Sequence, residues 1–198
     1  MAFLRQLLDK IHDIDTMAAT RPDSSNHFQS SFQKILTNLT PNNPTLTSNQ
    51  KKQVVMLPFD QLIVEKEIGE GGFAKVWQGK YNNQSVAIKV SNDIDDGSFL
   101  SEAIIMSELN PSPYIVTCIG YSVSNNDNSP CIVMELMQES LDTYLKNTNL
   151  DWNTCIQIAT EVAAGLQHMH QNDYVHSDIK SGNILLGPIQ VLSSMDCQ

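Results

Sequence analysis

Three polar residues near the carboxyl end of the chain have the types and spacing that phosphate chemistry needs. Asp178, Lys180 and Asn183 lie at offsets of two and five residues in one polar loop, between the apolar stretches Tyr174-Val175 and Ile184-Leu185-Leu186. Phosphoryl transfer uses a carboxylate near the acceptor hydroxyl, a cation on the transferring phosphate and a neutral oxygen ligand for magnesium. An ordinary polar turn after a helix explains a single aspartate, but not all three groups in this register.

A glycine-rich segment earlier in the chain is a candidate phosphate cradle. It reads Gly69-Glu70-Gly71-Gly72-Phe73-Ala74-Lys75-Val76 and lies between two strand patterns. Glycines let the backbone approach phosphate oxygens closely and direct N–H groups at them. The motif alone is weak, because Ala74 replaces a third glycine and many glycine-rich hairpins bind nothing. A dinucleotide-binding loop is disfavoured, because such a loop is followed by a helix and here a strand follows.

A lysine in the next strand pattern is a candidate partner for the same phosphates. The pattern is Val86-Ala87-Ile88-Lys89-Val90. A lone strand lysine is usually solvated, but a lysine with apolar neighbours lies on a mostly buried strand and needs an anionic partner. Glu102, in the helical pattern 98–109, can supply that partner, although taken alone it reads as an ordinary helix-face carboxylate.

The elements that must position these residues are a set of strands followed by helices. Asn82-Asn83 predicts a hairpin turn, and Asp151 predicts the cap of a long helix that reaches about His170. Strands and helices do not alternate as they do in βαβ units, so the prediction is an α+β fold with a sheet lobe and then a helical lobe. One helix, residues 98–109, falls between the third and fourth of the strand patterns Leu62–Ile68, Lys75–Tyr81, Ser85–Val90, Tyr114–Val123 and Cys131–Leu136.

Residues 1–58 differ in composition and hydrophobic pattern from the rest of the chain and are predicted to be an N-terminal extension. Two short amphipathic helix patterns precede an Asn/Thr/Pro-rich linker at 37–53. The extension is either a docking or self-association segment or a loosely ordered tail. The second alternative is favoured, because isolated helices of this length are marginal in water. The apolar positions of the two helix patterns are Leu4, Leu7, Ile11 and Ile14, and then Phe28, Phe32, Ile35 and Leu39.

The composition excludes several classes of partner. The chain has 198 residues and a net charge of −10, from 12 Lys and Arg against 22 Asp and Glu, which argues against nucleic acid or an anionic membrane as the main partner. Four cysteines without a Cys-x-x-Cys pair are typical of reduced thiols. No apolar run approaches the ~18 residues of a membrane span, and the first ten residues carry charge too early for a secretory signal. A cytoplasmic location is therefore expected.

In their order along the chain, these motifs resemble those of the protein kinases, and specifically the tyrosine-kinase-like group of serine/threonine kinases. The resemblance rests on the glycine-rich segment, Lys89, Glu102, the strand Cys131–Met137 and the loop 176–183. Each signal is soft, but their ordered conjunction is specific. It implies a sheet lobe at 59–137 built on a five-stranded antiparallel sheet with one helix, the first part of a helical lobe at 138–187, and a tail at 188–198 that does not match.

The resemblance implies ATP and Mg²⁺ as cofactors. Lys89 would hold the α- and β-phosphates and would itself be fixed by an ion pair with Glu102. Met134 would be the gatekeeper, and Val76, Ala87 and Leu185 would enclose the adenine. The backbone of Glu135 and Met137 would hydrogen-bond the adenine edge. The implied ATP-binding residues are Gly69, Glu70, Gly71, Gly72, Phe73, Ala74, Val76, Ala87, Lys89, Glu102, Met134, Glu135, Met137 and Leu185.

The same resemblance assigns roles in the polar loop. Asp178 would be the catalytic base, Lys180 would neutralise the γ-phosphate, and Asn183 would bind Mg²⁺. Lysine at position 180 is the serine/threonine-kinase pattern. Ser177 replaces the arginine that usually precedes the catalytic aspartate, so control by phosphorylation of an activation loop is not expected.

The end of the chain departs from the family pattern. The register of the family's Asp-Phe-Gly falls on Asp196, but Cys197 and Gln198 follow it, so Asp196 as a second metal ligand is treated as a coincidence. The expectation is a truncated and catalytically impaired serine/threonine kinase. The alternatives are a non-catalytic nucleotide-binding or protein-interaction fragment, and a scaffold whose residues 1–58 bind other proteins. The protein substrate, the upstream signal and the oligomeric state do not follow from the sequence.

Overall fold

A computed structural model describes residues 8, 9, 11–13, 16, 54–93 and 97–187. Its main feature is an antiparallel sheet of five strands, β1 (Leu62–Glu70), β2 (Ala74–Tyr81), β3 (Gln84–Ser91), β4 (Cys118–Val123) and β5 (Pro130–Glu135). The strands lie in the order β1-β2-β3-β5-β4. The predicted α+β fold, with a five-stranded antiparallel sheet followed by helices, is confirmed.

Three helices accompany the sheet between residues 97 and 187. The helix α1 (Gly97–Leu109) lies between β3 and β4, and α2 (Leu141–Asn147) and α3 (Trp152–Gln171) follow the sheet. The short strands β6 (Glu139–Ser140) and β7 (Leu185–Leu186) pair with each other, and Ser181–Asn183 forms a single 3-10 turn before β7. None of the helices in these ranges combines the length and the apolar character needed to cross a lipid bilayer.

Local sequence signals explain several element ends. Asn82 and Asn83 form the β2–β3 turn with φ of 49° and 63°, as predicted. Asp151 caps α3, because its Oδ1 accepts a 2.8 Å hydrogen bond from the Thr154 backbone N–H. Such a cap satisfies one of the N–H groups that a helix leaves without an internal partner. Both the turn and the cap therefore follow from residues within a few positions of each other.

Strand alternation in β3 divides the apolar residues between two clusters. Val86 and Ile88 lie in one buried cluster with Leu57 and Val133, on one face of the sheet. Ala87 lies on the opposite face, in a cluster that α1 covers with residues such as Phe99 and Ala103. Because side chains along a strand alternate between faces, Lys89 lies on the same face as Ala87 and therefore beneath α1.

The fourth strand begins later than the sequence pattern predicts. The pattern starts at Tyr114, whereas β4 starts at Cys118. Pro111 and Pro113 carry no N–H for a ladder, and the Thr117 N–H donates to the Glu135 side chain at 2.6 Å instead of to a strand carbonyl. The segment before β4 is therefore a turn rather than a strand.

Residues just before β1 cover the outer edge of β4, at one end of the sheet. Met56 makes a parallel bridge to Tyr121 of β4, and the Tyr121 N–H donates to the Val55 carbonyl at 2.8 Å. A Cβ at Gly120 would lie 2.5 Å from that Val55 carbonyl oxygen, so only glycine allows this approach. An uncovered edge strand could pair with another chain, and residues 55–57 prevent this at β4.

Candidate active site

Lys89 and Glu102 form an ion pair between the sheet and α1. The Lys89 Nζ lies 2.7 Å from both carboxylate oxygens of Glu102. The ammonium also lies 5.1 Å from the ring centroid of Phe99, within the range of a cation–π contact. The lysine side chain is 27% exposed and that of Glu102 42%, so the ammonium is shielded but open on one side. The structure thus brings this sequence-predicted pair together.

The glycine-rich segment forms a tight turn between β1 and β2. The Gly71 N–H donates to the Ala74 carbonyl at 2.8 Å, and Phe73 is 86% exposed at the turn. Asn92, just after β3, holds the turn from below: its N–H donates to the Phe73 carbonyl at 3.0 Å, and its Nδ2 donates to the Gly72 carbonyl at 3.3 Å. No glycine in the ranges described has a positive φ.

Nothing within the described chain requires glycine at the turn. A Cβ at Gly69 would come no closer than 3.8 Å to another atom, and one at Gly71 no closer than 3.5 Å. A Cβ at Gly72 would meet no atom within 4 Å. These are ordinary contacts or open space. Neither backbone conformation nor internal packing therefore accounts for the three glycines.

Several apolar residues that were predicted to bind ATP lie together beneath α1. Ala74, Ala87 and Met134 belong to one buried cluster, and Val76 packs against it. Ala87 and Met134 are direct partners in the β3–β5 ladder. Leu185 is not a member of this cluster; it lies in β7 and is 38% exposed. The structure therefore gathers four of the apolar residues and leaves Leu185 outside their cluster.

The segment after β5 connects the sheet to the helices. The Glu135 N–H donates to the Thr117 carbonyl at 3.0 Å, so this N–H is not available to a ligand. Met137 follows, and its Cε lies 3.5 Å from the position of a Cβ on Gly187. The Gln138 N–H then donates to the Leu186 carbonyl at 2.9 Å. The segment that follows β5 is therefore held next to β7 and Gly187.

The polar loop gathers its three predicted residues around one carboxylate. The Asn183 Nδ2 donates to the Asp178 backbone carbonyl and to its Oδ2, each at 2.8 Å. The Lys180 Nζ also lies 2.8 Å from the Asp178 Oδ2. Ser177 has a φ of 63°, a left-handed conformation that turns the backbone so that the Asp178 N–H reaches the His176 Nδ1 at 3.3 Å. All three predicted side chains are exposed.

The electrostatics of the loop favour an ionised aspartate. The hydrogen bond from Lys180 holds the pKa of the Asp178 carboxyl below its ordinary value of 3.8; a small desolvation opposes this, and the hydrogen bond from Asn183 adds to it. Asp178 is therefore a carboxylate at neutral pH. Because its Oδ2 accepts from both neighbours, its Oδ1 is the oxygen left to accept a proton.

The remaining predicted residues are placed as follows. Glu70, at the end of β1, forms an ion pair with Lys75 at 3.2 Å. Asp196 lies outside the described residues. Within the described ranges, no group of three or more His, Cys, Asp and Glu side chains is arranged to hold a metal ion.

Sequence reasoning missed residues whose roles depend on contacts distant in the chain. Asn92 supports the glycine-rich turn from twenty residues away, and Phe99 contacts the Lys89 ammonium. Tyr174 donates a hydrogen bond from its hydroxyl to Glu108 at the end of α1. Burial, with a further contribution from this bond, raises the pKa of Tyr174. No local pattern marks any of these three residues.

Comparison with known families identifies this arrangement. The family model described as protein tyrosine and serine/threonine kinase matches residues 62–194, which is most of the chain. The chain belongs to this protein kinase family. The match includes the glycine-rich turn, the Lys89–Glu102 pair and the polar loop, and it continues past Gly187 into residues that the structure does not describe.

Individual protein kinases also match this chain over about two thirds or more of its length. A probable serine/threonine-protein kinase of Dictyostelium discoideum is 32% identical over 158 residues, covering 72% of this chain and 12% of the relative. The probable serine/threonine-protein kinase roco7 of the same organism is 36% identical over 165 residues, covering 76% and 6%. The human tyrosine-protein kinase FRK is 31% identical over 138 residues, covering 66% and 27%. The chain thus spans a small part of the length of these kinases.

Proposed function

We propose that this chain carries the nucleotide-binding and catalytic loops of an ATP-dependent serine/threonine protein kinase. The observation that carries the proposal is the pairing of Lys89 with Glu102, with Nζ 2.7 Å from both carboxylate oxygens. The pair holds a shielded ammonium in a fixed position beside an apolar cluster. A cation placed in this way suits the phosphates of a ligand whose adenine ring packs on that cluster.

The glycine-rich turn supports a phosphate ligand above the ammonium. Gly69, Gly71 and Gly72 are not needed for local conformation or packing. We infer that their missing side chains leave room for the ligand, so that backbone N–H groups approach phosphate oxygens. The Gly71 N–H is already donated to Ala74. The N–H groups of Gly72 and Phe73 are therefore the expected donors.

The adenine ring is expected to lie against Val76, Ala87 and Met134, with Leu185 closing the opposite side. The Glu135 carbonyl and the Met137 N–H are the expected hydrogen-bonding groups for its edge. The Glu135 N–H is engaged by Thr117, which leaves its carbonyl as the group to accept from the adenine amine.

The polar loop supplies the proton acceptor and a metal ligand. Asp178 accepts the proton of the attacking serine or threonine hydroxyl through Oδ1, and Lys180 balances charge on the transferring phosphate. The Asn183 amide nitrogen is turned to Asp178, so its Oδ1 faces outward as a neutral oxygen ligand suited to Mg²⁺. Mg²⁺ commonly uses one or two protein ligands together with phosphate oxygens and water, which fits the small donor set here. Bound MgATP would supply the phosphoryl group.

The choice of serine and threonine over tyrosine as acceptors rests on Lys180. Two of the relatives named above are called probable serine/threonine-protein kinases and one is called a tyrosine-protein kinase, so family membership alone leaves the acceptor open. Phosphoamino-acid analysis of products made by the full-length protein decides this point. Phosphotyrosine as the main product would contradict the proposed acceptor.

The binding claim is tested with Lys89→Met in a thermal-shift titration with MgATP. The proposal predicts that MgATP raises the Tm of the unaltered chain and not that of the variant. Lys80→Met is the matched control, because Lys80 also pairs with a glutamate, at 3.0 Å, on the neighbouring strand but away from the turn. An equal shift in both variants would mean that the nucleotide binds elsewhere. A shift without measurable phosphate transfer by the full-length protein would favour the non-catalytic alternative.

A further inference from the structure

The N-terminal segment, here residues 8, 9, 11–13 and 16, is helical and packs on the helical lobe. Leu8 is 5% exposed and belongs to a buried cluster with Leu141 of α2 and with Cys155 and Ile158 of α3. Leu141 is fully buried in this cluster. A leucine this well covered contributes strongly to local stability. The segment is therefore part of the core of the helical lobe.

The same cluster reaches the polar loop. Ile184, which directly follows Asn183, packs against it. The Leu141 N–H donates to the Ile184 carbonyl at 2.7 Å, which ties the start of α2 to the end of the loop. The Ser181 hydroxyl makes a longer bond, 3.4 Å, to the Asp142 carboxylate on the first turn of α2. Leu8 thus contacts the cluster that anchors the loop, without touching the catalytic groups themselves.

We infer that the N-terminal segment positions the catalytic loop, by pressing α2 against residues 181–184. The surface formed by Leu141, Cys155, Ile158 and Ile184 is a docking site for a short amphipathic helix, and its occupant is this chain's own residue Leu8 with its neighbours. The contact stands on the structure alone, while its consequence for catalysis rests on the proposed function. The proposed contact is of the docking kind, one of the two alternatives that the sequence left open for residues 1–58.

The chemistry of the segment fits one buried face. Leu8 and Ile11 are three residues apart and lie on the same side of a helix, whereas Asp9 and Asp13 are exposed. Ile11 borders a groove of about 400 Å³ that continues along the second half of α3. Leu8 is therefore the anchor, and Ile11 lies at the open end of the contact.

Hydrogen exchange of the nucleotide-free 198-residue chain tests the inference. In Leu8→Asp we expect the amides of Leu141 and Asn183 to exchange at least about tenfold faster, since burying a carboxylate in this cluster opens it locally. The amides of β2 and β3 should keep their protection and serve as the internal reference. Asp9→Ala is the matched control, because Asp9 is exposed on the same helix, and it should leave all of these amides unchanged.

A binding split separates positioning from general stability. If the segment positions Asn183, Leu8→Asp should raise the Kd for MgATP at least about threefold. The Kd for ATP in EDTA should stay the same, because without Mg²⁺ the metal ligand Asn183 does not contribute to binding. Should Leu8→Asp fail to fold, Leu8→Ala is measured in its place, with smaller changes in the same amides. Unchanged exchange at Leu141 and Asn183 would overturn the inference, whatever the nucleotide result. An effect that disappears on dilution would show that a second copy supplies the helix, and would overturn the assignment to the same chain.

Discussion

Replacing Glu102 with glutamine should weaken nucleotide binding, although it removes a negative charge near a negatively charged ligand. In the structure both oxygens of Glu102 lie 2.7 Å from the Lys89 Nζ, so the carboxylate fixes the direction of the ammonium. Glutamine keeps the shape and one oxygen, but it loses the charge and the second acceptor. Lys89 would then sample several rotamers and would have to be ordered again by the nucleotide.

Two opposing terms decide the sign of the effect. Ordering a lysine side chain on binding costs about 0.5–1.5 kcal/mol, and a hydrogen bond to a charged group contributes about 1.5–3 kcal/mol when shielded. Glu102 is 42% exposed, so solvent screening reduces the combined loss to about 1–2 kcal/mol. Repulsion between the carboxylate and a phosphate about 6 Å away in a water-like medium is only about 0.7 kcal/mol. The difference, about 0.3–1.3 kcal/mol, corresponds to about 2- to 9-fold weaker binding.

Isothermal titration with MgATP measures this change directly. Glu67→Gln is the matched control, because Glu67 pairs with Lys75 at 3.5 Å on an exposed part of the sheet. The Kd of this variant for MgATP should equal that of the unaltered chain. Tighter binding in Glu102→Gln would show that the carboxylate only neutralises Lys89. That result would refute the positioning role of the pair.

Three further predictions concern the loop, the sheet and the junction between lobes. Lys180→Ala should raise the pKa of Asp178 toward its ordinary value of 3.8 in an NMR titration, because the main cause of its lowered pKa is lost. A carboxyl whose pKa is lowered in the folded chain stabilises the fold above its unfolded pKa, and this stabilisation is lost as the pH falls through the folded pKa. The unaltered chain should therefore lose more stability than the variant as the pH falls from about 5 to below 3.8. Gly79→Ala should destabilise the chain by more than about 2 kcal/mol in urea unfolding, because its Cβ would lie 2.3 Å from a backbone carbonyl oxygen of β1, whereas Gly72→Ala, with no atom within 4 Å, should change stability little. Tyr174→Phe should lower stability by about 1–3 kcal/mol in the same assay, because the carboxylate at the end of α1 loses its hydroxyl donor, and an unchanged midpoint would contradict this contact.

The parts of the fold that were predictable depend on residues close together in sequence. The Asn82-Asn83 turn and the Asp151 cap follow from the side-chain chemistry of one to four neighbouring positions. The prediction that β4 starts at Tyr114 was wrong. The N–H of Thr117 donates to a side chain on β5, eighteen residues away, and the strand starts only at Cys118. Periodicity in the sequence carries no information about such a competing acceptor.

The candidate site shows the same division. Lys89, Asp178 and Asn183 could be predicted as site residues because their spacing in short motifs has a chemical meaning. Asn92 was not found, since an asparagine after a strand is common and its role depends on a turn that packs back onto it. Leu8 could be assigned to an amphipathic helix but not to a docking site, because the surface that covers it comes from residues 141–184.

The proposal that Lys89 and the polar loop share one triphosphate is tested most directly by affinity labelling. An acyl phosphate of ATP transfers its acyl group to amines that lie beside bound phosphates, and tryptic mass spectrometry then locates the label. We predict that Lys89 and Lys180 are labelled, and that excess MgATP protects both of them together. Labelling of exposed lysines such as Lys80 at equal rates, or of Lys89 with no protection by MgATP, would contradict a shared phosphate site.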